Sequence, residues 1–186
     1  MLPFGIVRRR YAMSETGVRT LVDGMVEAWN ARDIERLLSY LAPGVVWDDP
    51  AMLDEPVVGH DGVRVFSERV LRAFPDFTYR IREPICVSES GTRCVVPWEI
   101  RATHGGRFEP YGFAPTGQLI RIEGVDILEL ESGKVTRIET VFNGISALQQ
   151  VLRLKPLSKS KLARIVAVGL QRWRASWLRL TAKGGK

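Results

Sequence analysis

The sequence predicts a segregated α+β domain, in which helices cover one face of a strongly bent antiparallel sheet. The first observation is that apolar residues recur at steps of three and four from residue 14 to residue 74, which is a helical period. The second is that apolar and polar residues alternate from Phe77 onward, which is the period of strands. Helices first and a meander of long strands afterwards are typical of α+β domains.

Three helices are predicted before the sheet, with one short strand between the second and the third. The first covers residues 14–30, with Ser14 as its N-cap. The second covers residues 33–41 and begins at a capping Asp33. The brief strand covers residues 45–49, and the third helix covers residues 61–74 and is terminated by a proline.

Four longer strand segments and one last helix complete the predicted domain. The strands cover residues 77–81, 94–104, 118–130 and 135–142, and the last two are joined by a tight Ser-Gly turn. The closing helix covers residues 146–152.

Charge divides the chain into three parts. Residues 1–13 are expected to be a disordered leader, and residues 14–154 form the domain. Residues 155–186 carry nine of the 27 Lys and Arg residues and no acid, so the rest of the chain holds 18 basic and 21 acidic residues. The net charge of +6 therefore belongs to this basic tail.

The tail is predicted to be an amphipathic helix, because apolar residues follow steps of three and four through residues 158–180. It suits peripheral contact with an anionic membrane surface, with Trp173 and Trp177 at the headgroup level. It equally suits docking on its own domain or on a dimer partner. Nucleic-acid binding ranks third, because no base-reading motif accompanies the charge.

Several functional classes find no support in the sequence. No apolar run reaches the ~18 residues of a membrane-spanning helix. Cys86 and Cys94 are interpreted as reduced thiols, and the cytoplasm is the expected compartment. A dinucleotide fingerprint and a phosphate loop are absent. With His60 and His104 as the two histidines, no metal site is expected.

Asp126 is the clearest candidate for chemistry, because it alternates with large aliphatic residues. Ile122, Leu128 and Leu130 share its predicted face. Burial there would raise the pKa of the carboxyl group well above its usual ~3.9. A carboxyl group that keeps its proton can donate a hydrogen bond to a substrate oxygen.

His104 and Asp49 are two further candidates on the same predicted interior. His104 ends the apolar row of its strand and is a candidate general acid or base, although a structural role at a strand end is the more common one. Asp49 alternates with Trp47, although an Asp before proline often forms a turn. The expected convergence of these groups with Asp126 favours a functional site.

Seven short motifs recur at a characteristic spacing along residues 14–154. They are Trp47-Asp48-Asp49-Pro50, Gly59-His60-Asp61-Gly62-Val63 with Phe66, Phe74-Pro75-Asp76-Phe77, Thr103-His104-Gly105-Gly106-Arg107-Phe108, Pro115-Thr116-Gly117, Gly124-Val125-Asp126-Ile127 and Ser132-Gly133-Lys134-Val135. In combination they resemble the SnoaL-like polyketide cyclase branch of the nuclear transport factor 2-like superfamily, which also contains the ketosteroid isomerases. The resemblance implies a cone-shaped fold that encloses a pocket for a hydrophobic, oxygenated small molecule, frequently in a homodimer, with no cofactor.

The family's catalytic residues carry over in part. In ketosteroid isomerases the Asp before the proline is the proton-shuttling base, which resembles Asp49, and a second, protonated Asp resembles Asp126. Their oxyanion tyrosine falls at Met25. In polyketide cyclases a histidine stands where Asp126 is, and the essential acid falls at Thr140. Both catalytic sets are therefore incomplete in this chain.

The resulting expectation is a cofactor-independent isomerase or cyclase that moves a proton beside a carbonyl of a polyketide or steroid-like ketone. Asp49 would take the proton, and Asp126 with His104 would hold the oxygen. The alternatives are a binding protein that has lost the chemistry and an interaction protein recruited by its tail. The expected substrate-binding residues are Trp29, Met25, Trp47, Trp98, Thr140 and Phe142.

Overall fold

The helices of the protein form where the sequence predicts them. The structure is a computed structural model, which describes residues 13–51, 55–109 and 111–154. Helix α1 is Glu15–Ala31, α2 is Ile34–Ser39, α3 is Gly59–Ala73 and α4 is Gly144–Val151. The expectations for the leader at residues 1–12 and for the basic tail lie outside the described residues.

Side-chain caps explain where the first two helices begin. The Ser14 hydroxyl oxygen accepts a hydrogen bond from the Gly17 N–H at 3.1 Å, as the sequence predicts. A carboxylate oxygen of Asp33 accepts from the Arg36 N–H at 2.9 Å. Each cap satisfies a backbone donor that the first turn of a helix leaves without a partner.

One curved sheet carries the strands of the described residues. Its strand order is β2-β1-β7-β6-β5-β3, and β4 pairs with β5 beside this path. The strands are β1 Leu41–Asp48, β2 Val57–Val58, β3 Thr78–Ile81, β4 Cys86–Val87, β5 Arg93–Thr103, β6 Leu119–Glu131 and β7 Lys134–Phe142.

The sheet is mixed, which corrects the expectation of a wholly antiparallel one. Strand β1 runs parallel to β7, with Trp47 opposite Ile138, while the other pairs are antiparallel. Strand β1 also begins before its predicted start, because Pro43 and Gly44 form an irregular stretch of the strand instead of ending the preceding helix. A proline is tolerated at such an irregularity, where no ladder hydrogen bond is lost.

The strand alternation separates an inner face from an outer face. The inner residues of β5 and β6 include Cys94, Val96 and Leu128, each at most 2% exposed. They pack with the apolar faces of α1 and α3 into one core. Within the part of the chain that the structure describes, no helix is both long and apolar enough to cross a membrane.

Candidate functional site

A cavity of about 290 Å³ lies between the helices and the inner face of the sheet. Its wall is mainly apolar and aromatic, which is the usual character of small-molecule sites. Asp49 and Asp126 both border it, and so do all six residues expected to bind substrate. These six are Met25 and Trp29 on α1, Trp47 on β1, Trp98 on β5, and Thr140 and Phe142 on β7.

Asp126 is the centre of a hydrogen-bond network in the cavity wall. The Tyr79 hydroxyl group donates to Asp126 Oδ2 at 2.8 Å, and the Thr140 hydroxyl group donates to Oδ1 at 2.8 Å. Behind Thr140, the indole N–H of Trp47 donates to Thr140 Oγ1 at 2.9 Å. The network therefore joins residues of four strands around one carboxyl group.

Burial raises the pKa of Asp126, as the sequence predicts. Three donors act against burial and lower the pKa of Asp126: the hydroxyl groups of Thr140 and Tyr79 and the nearby indole N–H of Trp98. They cancel only part of the effect of burial, so the net shift of the pKa is upward. The Trp98 side chain is 2% exposed, and its N–H has no hydrogen-bond partner within normal distance. The wall beside Asp126 thus holds one donor that no protein group satisfies.

Asp49 lies directly after the end of β1 and is held by a single backbone donor. Its Oδ1 accepts a hydrogen bond from the Ala51 N–H at 2.7 Å. Burial, aided by the charge of Asp126, raises the pKa of Asp49 to about 6. The neighbouring Asp48 forms an ion pair with Arg137 and is not part of the cavity wall. The two adjacent carboxyl groups therefore have different surroundings.

Tyr79 is the residue of the network that the sequence analysis does not single out. Two hydrogen bonds fasten its backbone to α1: the Tyr79 N–H donates to Asn30 Oδ1, and the Asn30 side-chain amide donates to the Tyr79 carbonyl, both at 2.8 Å. Burial is the main cause that raises the pKa of the phenol well above its ordinary value, and the charge of Asp126 adds to it. A phenolic hydroxyl group on an otherwise apolar strand face was the available signal.

The structure does not bring His104 to the cavity wall. Its side chain is fully buried, packs on the ring of Phe74, and places Nδ1 3.1 Å from Thr116 Oγ1. Because the Thr116 hydroxyl group donates its own proton to the Val151 carbonyl, His104 Nδ1 must carry the hydrogen of that contact. Burial lowers the pKa of His104. The residue therefore links its loop to the end of α4.

Aromatic side chains of the loop after β5 complete the wall. Tyr111 and Phe113 stack at 5.3 Å between ring centroids, and Phe108 packs edge-on against Phe74. All of these rings border the cavity. Among the residues that the structure describes, no group of three or more His, Cys, Asp or Glu side chains is arranged to hold a metal ion.

Comparison with known proteins identifies a family. A family model described as a SnoaL-like domain matches residues 22–138. AclR from Streptomyces galilaeus, proposed to be a hydroxylase, is 27% identical with a TM-score of 0.65, and the match covers 91% of this chain and 98% of AclR. No curated protein sequence matches the chain.

Two other solved structures have the same fold. A nuclear transport factor 2-like protein of unknown function from Burkholderia pseudomallei is 26% identical, with a TM-score of 0.60 over 75% of this chain and 98% of that one. A protein from Pseudomonas putida, proposed to be a polyketide cyclase, is 20% identical, with a TM-score of 0.61 over 70% and 95% of the two chains.

Proposed function

The chain belongs to the SnoaL-like domain family, and from this premise we propose that it is a cofactor-independent proton-transfer enzyme of the isomerase or cyclase type. Its substrate would be a hydrophobic, oxygenated small molecule such as a polyketide or a steroid-like ketone. The observation that carries the proposal is the pair of carboxyl groups, Asp49 and Asp126, in the wall of one mainly apolar cavity.

The two carboxyl groups support different roles because their partners differ. Asp49 accepts one backbone hydrogen bond, and its pKa of about 6 suits a general base near neutral pH. It would take a proton from the carbon beside the substrate carbonyl and return it to another carbon. Asp126 and its hydrogen-bonded neighbours would stabilise the negative charge that develops on the carbonyl oxygen.

The apolar wall strengthens this chemistry. A hydrogen bond to a developing oxyanion is worth more where water is excluded, because the effective dielectric constant is low. A cavity of about 290 Å³ lies at the small end of the range for ligand sites, which favours a substrate of few rings. The Pseudomonas putida protein of the same fold is proposed to be a polyketide cyclase, which is compatible with a substrate of this kind.

Exchange of carbon-bound protons for deuterium tests the proposal without knowledge of the natural substrate. We expect the protein to accelerate exchange beside the carbonyl of 2-tetralone in D₂O, followed by NMR. Asp49→Asn should abolish the acceleration, and Asp126→Leu should reduce it by ~100- to 1,000-fold, as for other lost oxyanion groups. Asp48→Asn is the matched control and should retain it. Equal rates in wild type and Asp49→Asn would contradict the proposal.

A second candidate function is small-molecule binding without catalysis. The observation that favours it is that Met25 and Thr140 stand where the related enzymes have an oxyanion tyrosine and an essential acid, and both border the cavity. A binding protein would retain 2-tetralone in equilibrium dialysis and leave its exchange rate unaltered. Acceleration that depends on Asp49 would exclude this function.

A homodimer is the proposed assembly, and the outer face of the sheet supports it. Val95, Pro97, Val125, Ile127 and Val141 are neighbours across β5, β6 and β7 on the face opposite the cavity. Val141 is 47% exposed. We expect a dimer in sedimentation equilibrium and a monomer for Val141→Lys, whereas Ile145→Lys on α4 should remain dimeric. A monomeric wild-type protein would contradict this assembly.

The basic tail supports a further proposal, which is peripheral contact with anionic membranes. Nine cations and no acids in residues 155–186, with two tryptophans, suit adsorption to such a surface. In a flotation assay the full chain should bind vesicles that contain phosphatidylserine and release them at high salt. If a chain that ends at Leu154 floated with the vesicles in the same amount as the full chain, the result would contradict the proposal.

A further inference from the structure

We propose that Tyr79 is the group that donates a hydrogen bond to the substrate oxygen, and that Asp126 is a positioning residue that turns the Tyr79 hydroxyl hydrogen toward the cavity. This inference rests on the proposed function and assigns the contact atom of its oxyanion site. It begins with the directions of the hydrogen bonds around Asp126.

The Thr140 side of the network has a fixed direction. An indole N–H donates and cannot accept, so Trp47 occupies one of the two acceptor positions on Thr140 Oγ1. The hydroxyl hydrogen of Thr140 points at Asp126 Oδ1, 2.8 Å away, and a proton on Oδ1 would deprive this hydrogen of its acceptor. Oδ1 is therefore an acceptor in this network, and a proton held by Asp126 belongs on Oδ2.

The Tyr79 side of the network has two states. When Asp126 is ionised, the Tyr79 hydroxyl group donates to Oδ2, and its only hydrogen is used within the protein. When Asp126 is protonated on Oδ2, that O–H donates to Tyr79 Oη, and the phenolic hydrogen is released toward the cavity that Tyr79 borders. Tyr79 offers a donor to a ligand only in the second state.

The position of Tyr79 Oη is fixed by its surroundings. The paired hydrogen bonds with Asn30 hold the backbone of β3, and the phenol ring packs at 5.9 Å from the Trp98 ring. The change between the two states therefore needs a rotation of one O–H bond and no movement of the ring.

The titratable groups around Asp126 favour retention of one proton in the site. Asp49 faces the network from the end of β1, Tyr79 from β3, and Cys94 from β5, where burial and the charge of Asp126 raise the thiol pKa to about 12. None of these groups supplies a positive charge that would stabilise two carboxylates. Asp49 and Asp126 affect each other's charge and therefore titrate as a pair. When one of the two carboxyl groups is ionised, its negative charge favours the protonated form of the other.

The reaction step balances without another reagent. Ionised Asp49 takes the proton from the carbon beside the carbonyl, and the C–H electron pair forms the C=C bond of an enolate. The carbonyl electrons move to the oxygen, which accepts the Tyr79 O–H, while Asp126 O–H donates to Tyr79 Oη. Asp49–H then returns the proton to carbon, so no net proton is lost.

Binding of 4-nitrophenol, whose phenolate resembles an enolate and absorbs visible light, tests the inference. Tyr79→Phe should weaken binding of the phenolate roughly 10- to 100-fold, the value of one hydrogen bond to a charged group. Tyr40→Phe, a tyrosine outside the cavity wall, is the matched control and should bind like wild type.

Conservative replacement of Asp126 separates positioning from direct donation. In Asp126→Asn the amide oxygen should face the Thr140 donor, so the amide N–H₂ faces Tyr79 Oη and keeps the phenolic hydrogen directed at the ligand. We expect Asp126→Asn to retain phenolate binding at a pH where wild type has lost it, and Asp126→Leu to bind weakly. Loss of binding in Asp126→Asn, with its fold intact by circular dichroism, would overturn the relay.

The outcomes distinguish this inference from the proposed function. Wild-type affinity in Tyr79→Phe, together with exchange of 2-tetralone that still depends on Asp49, would overturn the role of Tyr79 and leave the enzyme intact. Exchange that is independent of Asp49, together with weak phenolate binding in Tyr79→Phe, would overturn the proton transfer alone. A wild-type protein that does not bind 4-nitrophenol would contradict the inference.

Discussion

Trp98 lies directly over Gly124, so that the glycine provides the space for the indole ring. The two residues are opposite each other on β5 and β6. A β-carbon built at Gly124 would lie 2.5 Å from Trp98 Cζ2 and 2.6 Å from the Val141 carbonyl oxygen, closer than such atoms approach. The absence of a side chain at residue 124 therefore allows the indole N–H to lie beside Asp126.

Gly124→Ala is expected to displace Trp98 and to reduce stability. Overpacking of a filled site costs ~1 to 3 kcal/mol in the free energy of unfolding. Urea denaturation measures this loss, and tryptophan fluorescence reports the movement of the ring. Gly44→Ala is the matched control, because a β-carbon there meets no atom within 4 Å. Equal stability of the two variants would show that Trp98 does not depend on the glycine.

Thr140→Val is expected to weaken the network on both of its sides. The buried Trp47 N–H loses its acceptor, and Asp126 Oδ1 loses its donor, so the free energy of unfolding should fall by ~1 to 3 kcal/mol. The pKa of Asp126 should rise further, because a donor that stabilises its charged form is gone. Carboxyl carbon NMR measures the titration.

A matched control for Thr140→Val lies on the same strand. The Thr136 hydroxyl group donates to the Glu129 carbonyl at a long 3.3 Å and is not part of the cavity wall. Thr136→Val should leave the titration of Asp126 as it is in wild type. The role of Thr140 in the network would be refuted by an Asp126 pKa that is the same in both variants.

Much of the fold and part of the site could be predicted from the sequence, because both depend on local patterns. The Ser14 cap set the start of α1, and the strand alternation placed Asp126 on the inner face. The bond from Tyr79 to Asp126 was not predictable, since it depends on the registers of β3, β5 and β6 together. The parallel pairing of β1 with β7 is likewise a contact between distant segments, which periodicity does not report.

His104 shows where an argument from alternation ends. The pattern placed it on the inner face of β5, but the strand ends at Thr103. There the backbone turns into the following loop, and the His104 N–H pairs with the Gln118 carbonyl while its carbonyl accepts from the Gly117 N–H. Alternation predicts side-chain direction only while the extended backbone continues.

Asp49→Asn is expected to stabilise the protein at alkaline pH. The folded-state pKa of about 6 exceeds the ordinary value of 3.8, so the carboxyl group favours folding only while protonated. That contribution is complete below pH ~4 and is lost as the pH rises through ~6, with an upper limit of ~3 kcal/mol. The variant should therefore match wild type at pH 4 and exceed it at pH 8 in urea denaturation.

The difference between the two proteins is the quantity to follow, because other groups titrate in both. Burial lowers the pKa of His104, which makes the shared background rise as the pH increases toward ~6.5, whereas the lowered pKa values of Asp76 and Glu83 affect stability only below pH ~5. If the free energies of unfolding of wild type and Asp49→Asn differed by the same amount at every pH from 4 to 8, Asp49 would be solvated in the folded protein. That result would also remove the physical basis of the role of Asp49 as a base.

His104→Asn is expected to leave the exchange of 2-tetralone unchanged and to remove a pH-dependent loss of stability. Burial holds the folded-state pKa of His104 below the ordinary 6.5, so the unfolded chain binds a proton that the folded protein does not. Wild type should therefore lose stability as the pH falls below ~6.5. Asparagine donates to Thr116 without titrating, so the variant lacks this loss.

Urea denaturation at pH 7.5 and pH 5.5 measures the pH-dependent loss of stability in wild type and in His104→Asn. The exchange of 2-tetralone shows whether His104 also takes part in the reaction. Because the hydrogen on Nδ1 is committed to Thr116, a structural His104 predicts full exchange in the variant. His104→Phe is the complementary variant, since it keeps the ring against Phe74 and removes the donor, and it should be less stable than His104→Asn at both pH values. Loss of exchange in both folded variants would place His104 in the chemistry, because His104→Phe keeps a ring against Phe74, which borders the cavity.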